Sequence, residues 1–119
     1  MRSHAAVAAE LLGDQTLVDA VLDDPQAAPI SERDKALLTY IARVTTACHE
    51  VRAEEAEHLR ALGWTDEAIY DAVTVCALFN FYVRWVDGCG VHEMSEADHR
   101  ASGRRLAQFG YLPPQDPKR

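Results

Sequence analysis

The sequence predicts an all-α fold, and three observations carry that prediction. Gly and Pro cluster so as to cut the chain into helix-length stretches. Ser, Thr and acidic residues stand where several of those stretches begin, as N-caps and first-turn charges do. No run alternates apolar and polar residues in the way of a half-buried strand. The breaks are Gly13, Pro25 with Pro29, Gly63, Gly88 with Gly90, Gly110, and Pro113 with Pro114, leaving about six helices.

Residues 4–12 are Ala-rich with Leu11 and Leu12, and no capping residue precedes them, so the stretch reads as the end of a helix that would extend back past Met1. In residues 15–23, Leu17 pairs with Val21 and Val18 with Leu22 at i, i+4, giving a short helix with an apolar stripe. Ser31 is the expected cap of the next helix, with Glu32 and Asp34 in its first turn and Leu37, Ile41, Val44 and Cys48 along one face. The stretch ending at Gly63 carries Glu54, Glu55 and Glu57 early and Arg60 late, as the helix dipole favours, and His58 four residues after Glu54 belongs to its solvent face. Thr65 opens a run to Val86 that is apolar nearly all round, the pattern of a central helix buried on several sides. Ser95-Glu96-Ala97-Asp98 is a capping box with Asp in place of Glu, and the helix it opens ends before Gly110. A single domain over residues 1–112 with an extended tail over 113–119 follows from the length and this punctuation.

The 119 residues are 48% hydrophobic and 26% charged, which suits a globular chain and excludes a disordered or fibrous one. The net charge of −7 is unevenly placed: residues 1–99 hold 7 basic against 18 acidic side chains, whereas residues 100–119 hold 5 against 1. So acidic a body repels phosphate backbones, which argues against nucleic acid as a partner. The richest apolar stretch, Ile69 to Val86, is broken by Asp71, Asn80 and Arg84, so no membrane span is expected. Glu10 and Asp14 come too early for the apolar core of a signal peptide. Three cysteines at long spacings, Cys48, Cys76 and Cys89, suit reduced thiols in the cytoplasm better than a disulfide framework.

Several residues are candidates for chemistry. Cys48 and His49 are adjacent, and neighbours on a helix point ~100° apart, so they make a poor thiolate–base pair. Cys76 lies within the apolar run, where a thiol packs as a small hydrophobe. Cys89, between Gly88 and Gly90, with His92 at C-x-x-H spacing and His99 seven residues further on, is a candidate reactive thiol; a zinc site would need more ligands, and no metal or other cofactor is expected. Asn80, Arg84 and Asp87 recur at i, i+4, i+7 as one polar stripe, either a structural network or subunit contact, or the polar wall of a substrate pocket. Phe79, Phe81, Tyr82 and Trp85 crowd the same helix, and so short a chain needs partners to bury it, so a homo-oligomer is expected.

The order HAAVAAELLGD, DQTLVDAVLDDPQAAPIS, SERDKALLTYIARVT, GWTDEAIYDAV and FNFYVRWVDGCGV resembles the peroxidase-related branch of the AhpD-like (carboxymuconolactone decarboxylase) superfamily over roughly residues 3–92. The most specific pieces are Gly63-Trp64-Thr65-Asp66-Glu67, Phe79-Asn80-Phe81 and Arg84. The resemblance implies homo-oligomers of helical protomers that reduce alkyl hydroperoxides with a C-x-x-C-x-x-x-H dithiol, regenerated by a dithiol reductant. A thiolate at a helix N-terminus is the nucleophile, the second Cys resolves its sulfenic acid, and the His assists proton transfer. His4 matches the final His, but Ser3, Arg2 and Met1 precede it, so the second motif cysteine would fall one position before Met1 and only His4 carries over. Either the dithiol lies upstream of Met1, or the chain is naturally short and does something other than dithiol chemistry. The alternatives are a non-catalytic helical oligomerisation or small-molecule-binding module, and lactone chemistry of the superfamily's namesake, which needs proton transfer by a His but no cysteine pair.

Overall fold

The computed structural model describes residues 2–111; the tail expected over 113–119 lies outside them. Six α-helices form, α1 (Arg2–Leu12), α2 (Gln15–Asp23), α3 (Glu32–Ala47), α4 (Ala53–Ala61), α5 (Asp66–Gly88) and α6 (Glu96–Phe109), and no strand occurs among the described residues. The fold class is all-α, as the punctuation predicted. The helices divide between two compact units, one of residues 2–28 with 92–111 and one of residues 29–91.

The helix starts follow local chemistry. Asp14 accepts the backbone N–H of Leu17 at 2.9 Å, Ser31 that of Asp34 at 3.1 Å, and Thr65 that of Ala68 at 3.1 Å. Ser95 accepts the Asp98 N–H at 3.2 Å and donates its own hydroxyl to the Asp98 carboxylate at 2.6 Å. The shorter Asp thus closes the cap through the side chain, where the Glu of a capping box reaches back to the N-cap backbone. One boundary differs from expectation: α3 ends at Ala47, and Cys48 opens a 3-10 turn to Glu50 and is exposed instead of continuing the apolar face.

In the first unit, α1 packs along α6, and α2 leans on α1. Ala9, Val18, Ala28 and Gly103 are its buried residues. The α1–α6 approach is set by Gly103: a Cβ there would stand 2.5 Å from the Ala6 Cβ and 3.1 Å from the Ala6 carbonyl carbon, so only glycine allows the two backbones this close.

The second unit pairs α3 with α5, and α4 closes against both. Leu59, 1% exposed, is its most buried side chain, joined by Ile69 and Cys76 of α5. The turn between α4 and α5 is tied to α3 by Trp64, whose indole N–H donates to the Arg33 carbonyl at 3.0 Å while the Arg33 guanidinium lies 4.0 Å above the ring. The burial expected of α5 is met on one side of its first half, at Ile69 and Cys76, while Tyr70 and Val75 are exposed. Every residue from Phe81 to Gly88 is exposed, while Asn80 is joined to Thr45 of α3.

Candidate functional site

His4 lies in the first turn of α1. Its Nε2 is 2.6 Å from the phenol oxygen of Tyr111, just beyond the end of α6, with the ring centroids 6.4 Å apart. Partial burial of the imidazole lowers its pKa below the ordinary histidine value, so the ring is neutral near pH 7. One residue earlier, the Ser3 hydroxyl is 2.7 Å from Nδ1 of His99 on α6. The His99 Nε2 is buried and has no hydrogen-bond partner among the described residues. The first turn of α1 is therefore clasped to α6 by two imidazole–hydroxyl pairs.

Beside this turn runs an open groove of about 640 Å³, lined by apolar Ala5, Ala6 and Leu22 and by polar Asp19, His99 and Arg100. The arrangement offers a neutral imidazole that accepts or returns a proton, a phenol that fixes it, and a partly apolar groove wide enough for a small molecule.

Of the residues singled out from sequence, His4 belongs to this constellation, and so does His99, which was weighed only as a possible ligand beside Cys89 and His92. Ser3, His99 and Tyr111 were missed as its partners. They lie 96 and 107 residues from their counterparts, and no local spacing signals such contacts.

The polar stripe of α5 is only partly joined. Asn80 donates to the Cys76 carbonyl at 3.0 Å, to Thr45 on α3 at 3.3 Å and to the Cys76 sulfur at 3.4 Å. Arg84 donates to the Asn80 backbone carbonyl at 2.9 Å and side-chain carbonyl at 2.7 Å. Asp87 is exposed, and its carboxylate bonds to no described side chain. Asn80 thus anchors α5 to α3, and Arg84 leans back upon it.

Cys89 is an exposed free thiol at the C-cap of α5, and Gly90, at φ +68°, closes the helix with the bonds Gly90 N–H to Asp87 and Val91 N–H to Val86. Among the described residues no three His, Cys, Asp or Glu side chains converge as metal ligands do. Cys76 is buried against Thr45, 3.2 Å away, and Cys48 is exposed. No helix among the described residues is long and apolar enough to cross a membrane.

No protein-family model matches the sequence, and no curated protein matches it. A solved structure does: the crystal structure of an uncharacterized peroxidase-related protein from Silicibacter sp. TM1040 superposes with a TM-score of 0.74 over 87% of this chain, at 27% identity. The chain is similar to a peroxidase-related protein. It spans about half of that protein, 53% of its length. The peroxidase-related likeness thus extends over most of the helices described above, both units included.

Proposed function

We propose that this chain is the helical part of an AhpD-like, peroxidase-related protein that reduces organic hydroperoxides with a dithiol, and that His4 carries the proton transfers. The observation that carries the reading is the place of His4: an imidazole in the first turn of α1, 2.6 Å from a phenol, in a chain similar to a peroxidase-related protein over 87% of its length. In this reading the dithiol is not drawn from Cys48, Cys76 and Cys89, none of which has the C-x-x-C-x-x-x-H spacing to His4.

The step balances as follows. His4 takes the proton of the attacking thiol. The thiolate sulfur bonds to the terminal peroxide oxygen as the O–O bond breaks, and the departing alkoxide takes the proton back from His4 and leaves as alcohol. The second thiol displaces the sulfenic hydroxyl as water, forming a disulfide, which an external dithiol reductant returns to two thiols.

The test is the protein from its source cells. Its intact mass is expected to exceed 13.2 kDa, with two alkylatable thiols beyond the three of this chain. It should consume an organic hydroperoxide catalytically in the presence of a dithiol reductant, and His4→Ala should slow turnover ~100-fold. A mass matching 119 residues with three thiols sinks this reading.

A second reading, an oligomerisation module on the same scaffold, is favoured by the second half of α5. Phe81 and Trp85 are 59% and 58% exposed, their rings stacked at a centroid distance of 6.4 Å, with Leu78, Tyr82 and Val86 also open to solvent. Exposed apolar area of this kind on one helix is the mark of an interface between protein chains. Light scattering at micromolar concentration should give a mass above one protomer, and Trp85→Glu should lower it. A monomer for the wild-type chain refutes the homo-oligomer.

A further inference from the structure

We infer that Tyr111 is a positioning residue for His4: its phenol donates to Nε2 and holds the imidazole as the neutral Nδ1–H tautomer. This deepens the peroxidase reading and gives the proton-transfer residue of that site a partner from the far end of the chain.

The polarity of the bond follows from acidity. A phenol loses its proton at about pH 10, and is a far stronger acid than the N–H of a neutral imidazole, while the imidazole nitrogen is the better base. At an O···N separation of 2.6 Å the favoured arrangement is therefore O–H···N, with Tyr111 donating. Nε2 is then the acceptor and the ring proton sits on Nδ1, since a neutral imidazole carries one donor and one acceptor. With its proton on Nδ1 the ring can take up another only at Nε2, so the thiol proton reaches His4 as the phenol yields that nitrogen, and the phenol takes Nε2 again once the proton has passed to the alkoxide.

The placement is built by the fold. Gly103 lets α6 run close along α1, and Gly110, at φ +63°, turns the chain at the end of α6 so that Tyr111 meets the first turn of α1. Tyr111 is itself 77% exposed, so little packing holds its ring beyond the contact with His4.

Other titratable groups stand about this end of α1. His99 of α6 is bonded to Ser3, while Asp19 of α2 and Glu96 and Arg100 of α6 line the groove beside Ala5 and Ala6. Burial of the ring is the largest cause of the lowered His4 pKa, and the positive charge of the N-terminus lowers it further. A phenol that donates to the neutral ring acts in the same direction, because it stabilises the uncharged form.

The experiment is two-bond proton–nitrogen correlation NMR on the full chain, labelled with nitrogen-15, for wild type, Tyr111→Phe and Ser3→Ala. The wild-type His4 ring should give the Nδ1–H pattern. Tyr111→Phe should move it toward the Nε2–H pattern and raise its titration midpoint by about 0.5 pH units. Ser3→Ala, which loosens the same turn without touching the phenol, should leave the His4 pattern as in wild type. An unchanged tautomer and midpoint in Tyr111→Phe overturns the inference. So does an equal change in Ser3→Ala, which would assign the effect to packing of the turn. Neither readout involves peroxide turnover: an inactive protein with the expected His4 spectrum sinks the peroxidase reading alone, and an active one with an unmoved spectrum sinks only the role of Tyr111.

Discussion

The α1–α6 contact and the second half of α5 are both rich in apolar residues, yet one is filled and the other is open. Ala6 and Gly103 bring α1 and α6 within a backbone's reach, and the Ser3–His99 and His4–Tyr111 pairs clasp the end of the contact. Along α5 from Phe81 to Val86 the side chains are mostly large and apolar, and neither α3 nor α4 of the same unit buries them. A contact completed within the chain is marked by small residues and partnered polar groups, whereas a contact left for another molecule is marked by exposed large ones. Total hydrophobicity does not separate the two cases.

The sharpest way to break this comparison is to fill the filled contact further. Gly103→Leu places a side chain where even a Cβ meets the Ala6 backbone carbon at 3.1 Å, so α1 and α6 must part. The strain of overpacking, about 3 kcal/mol, exceeds the gain of ~1 kcal/mol that Leu brings over Gly in a helix, leaving a net loss of about 2 kcal/mol. Urea denaturation should show a lower midpoint at unchanged slope. Gly103→Ala should lose less, and adding Ala6→Gly should recover only part of it, because the Ala6 backbone contacts at 3.1 and 3.3 Å remain. A Gly103→Leu protein as stable as wild type would mean the α1–α6 contact is not closely packed.

The open face should respond the other way. Trp85→Ala removes a side chain that is 58% exposed, so protomer stability measured at low protein concentration should change by less than ~0.5 kcal/mol, while association falls. A loss of 2 kcal/mol or more in the dissociated protomer would show that α5 is covered within its own chain, and the contrast would collapse.

The same contrast explains what was legible in the sequence. Ser31, Thr65 and Ser95 were readable as caps because a cap joins residues three apart, and the structure has each accepting the N–H expected of it. The run from Thr65 to Val86 was readable as a helix, but the apolar pattern does not say whether its cover comes from the same chain or another, and so its burial was overstated. Cys48 was assigned to the apolar face because periodicity was carried one residue past the true end of α3 at Ala47. In the candidate site, His4 was found through a resemblance. Its partner Tyr111 stood past the last helix break at Gly110 with no motif around it, and His99 was weighed only as a ligand beside Cys89 and His92. Contacts separated by 96 and 107 residues depend on how α6 returns along α1, and that return rests on a single glycine among small residues.

The smallest effect tests the clasped end of that contact through pH. The His4 pKa is lowered on folding, so in the window between its folded value and the ordinary 6.5 the unfolded chain binds more protons than the native one. Stability must therefore rise with pH across that window. The full contribution is present above 6.5 and is lost as pH falls toward the folded value, below which the difference no longer grows. Carboxylates titrate at lower pH and act on wild type and variant alike, so the informative quantity is the difference between wild type and His4→Gln. Thermal midpoints recorded from pH 7.5 to 5.5 should fall slightly more steeply for the wild type, by a degree or so, since solvent screens a partly exposed ring. Parallel curves would mean that the imidazole is as well solvated in the folded chain as in the unfolded one. The phenol would then hold no measurable preference for the neutral ring, and the clasp at this end of α1 would be a contact without electrostatic consequence.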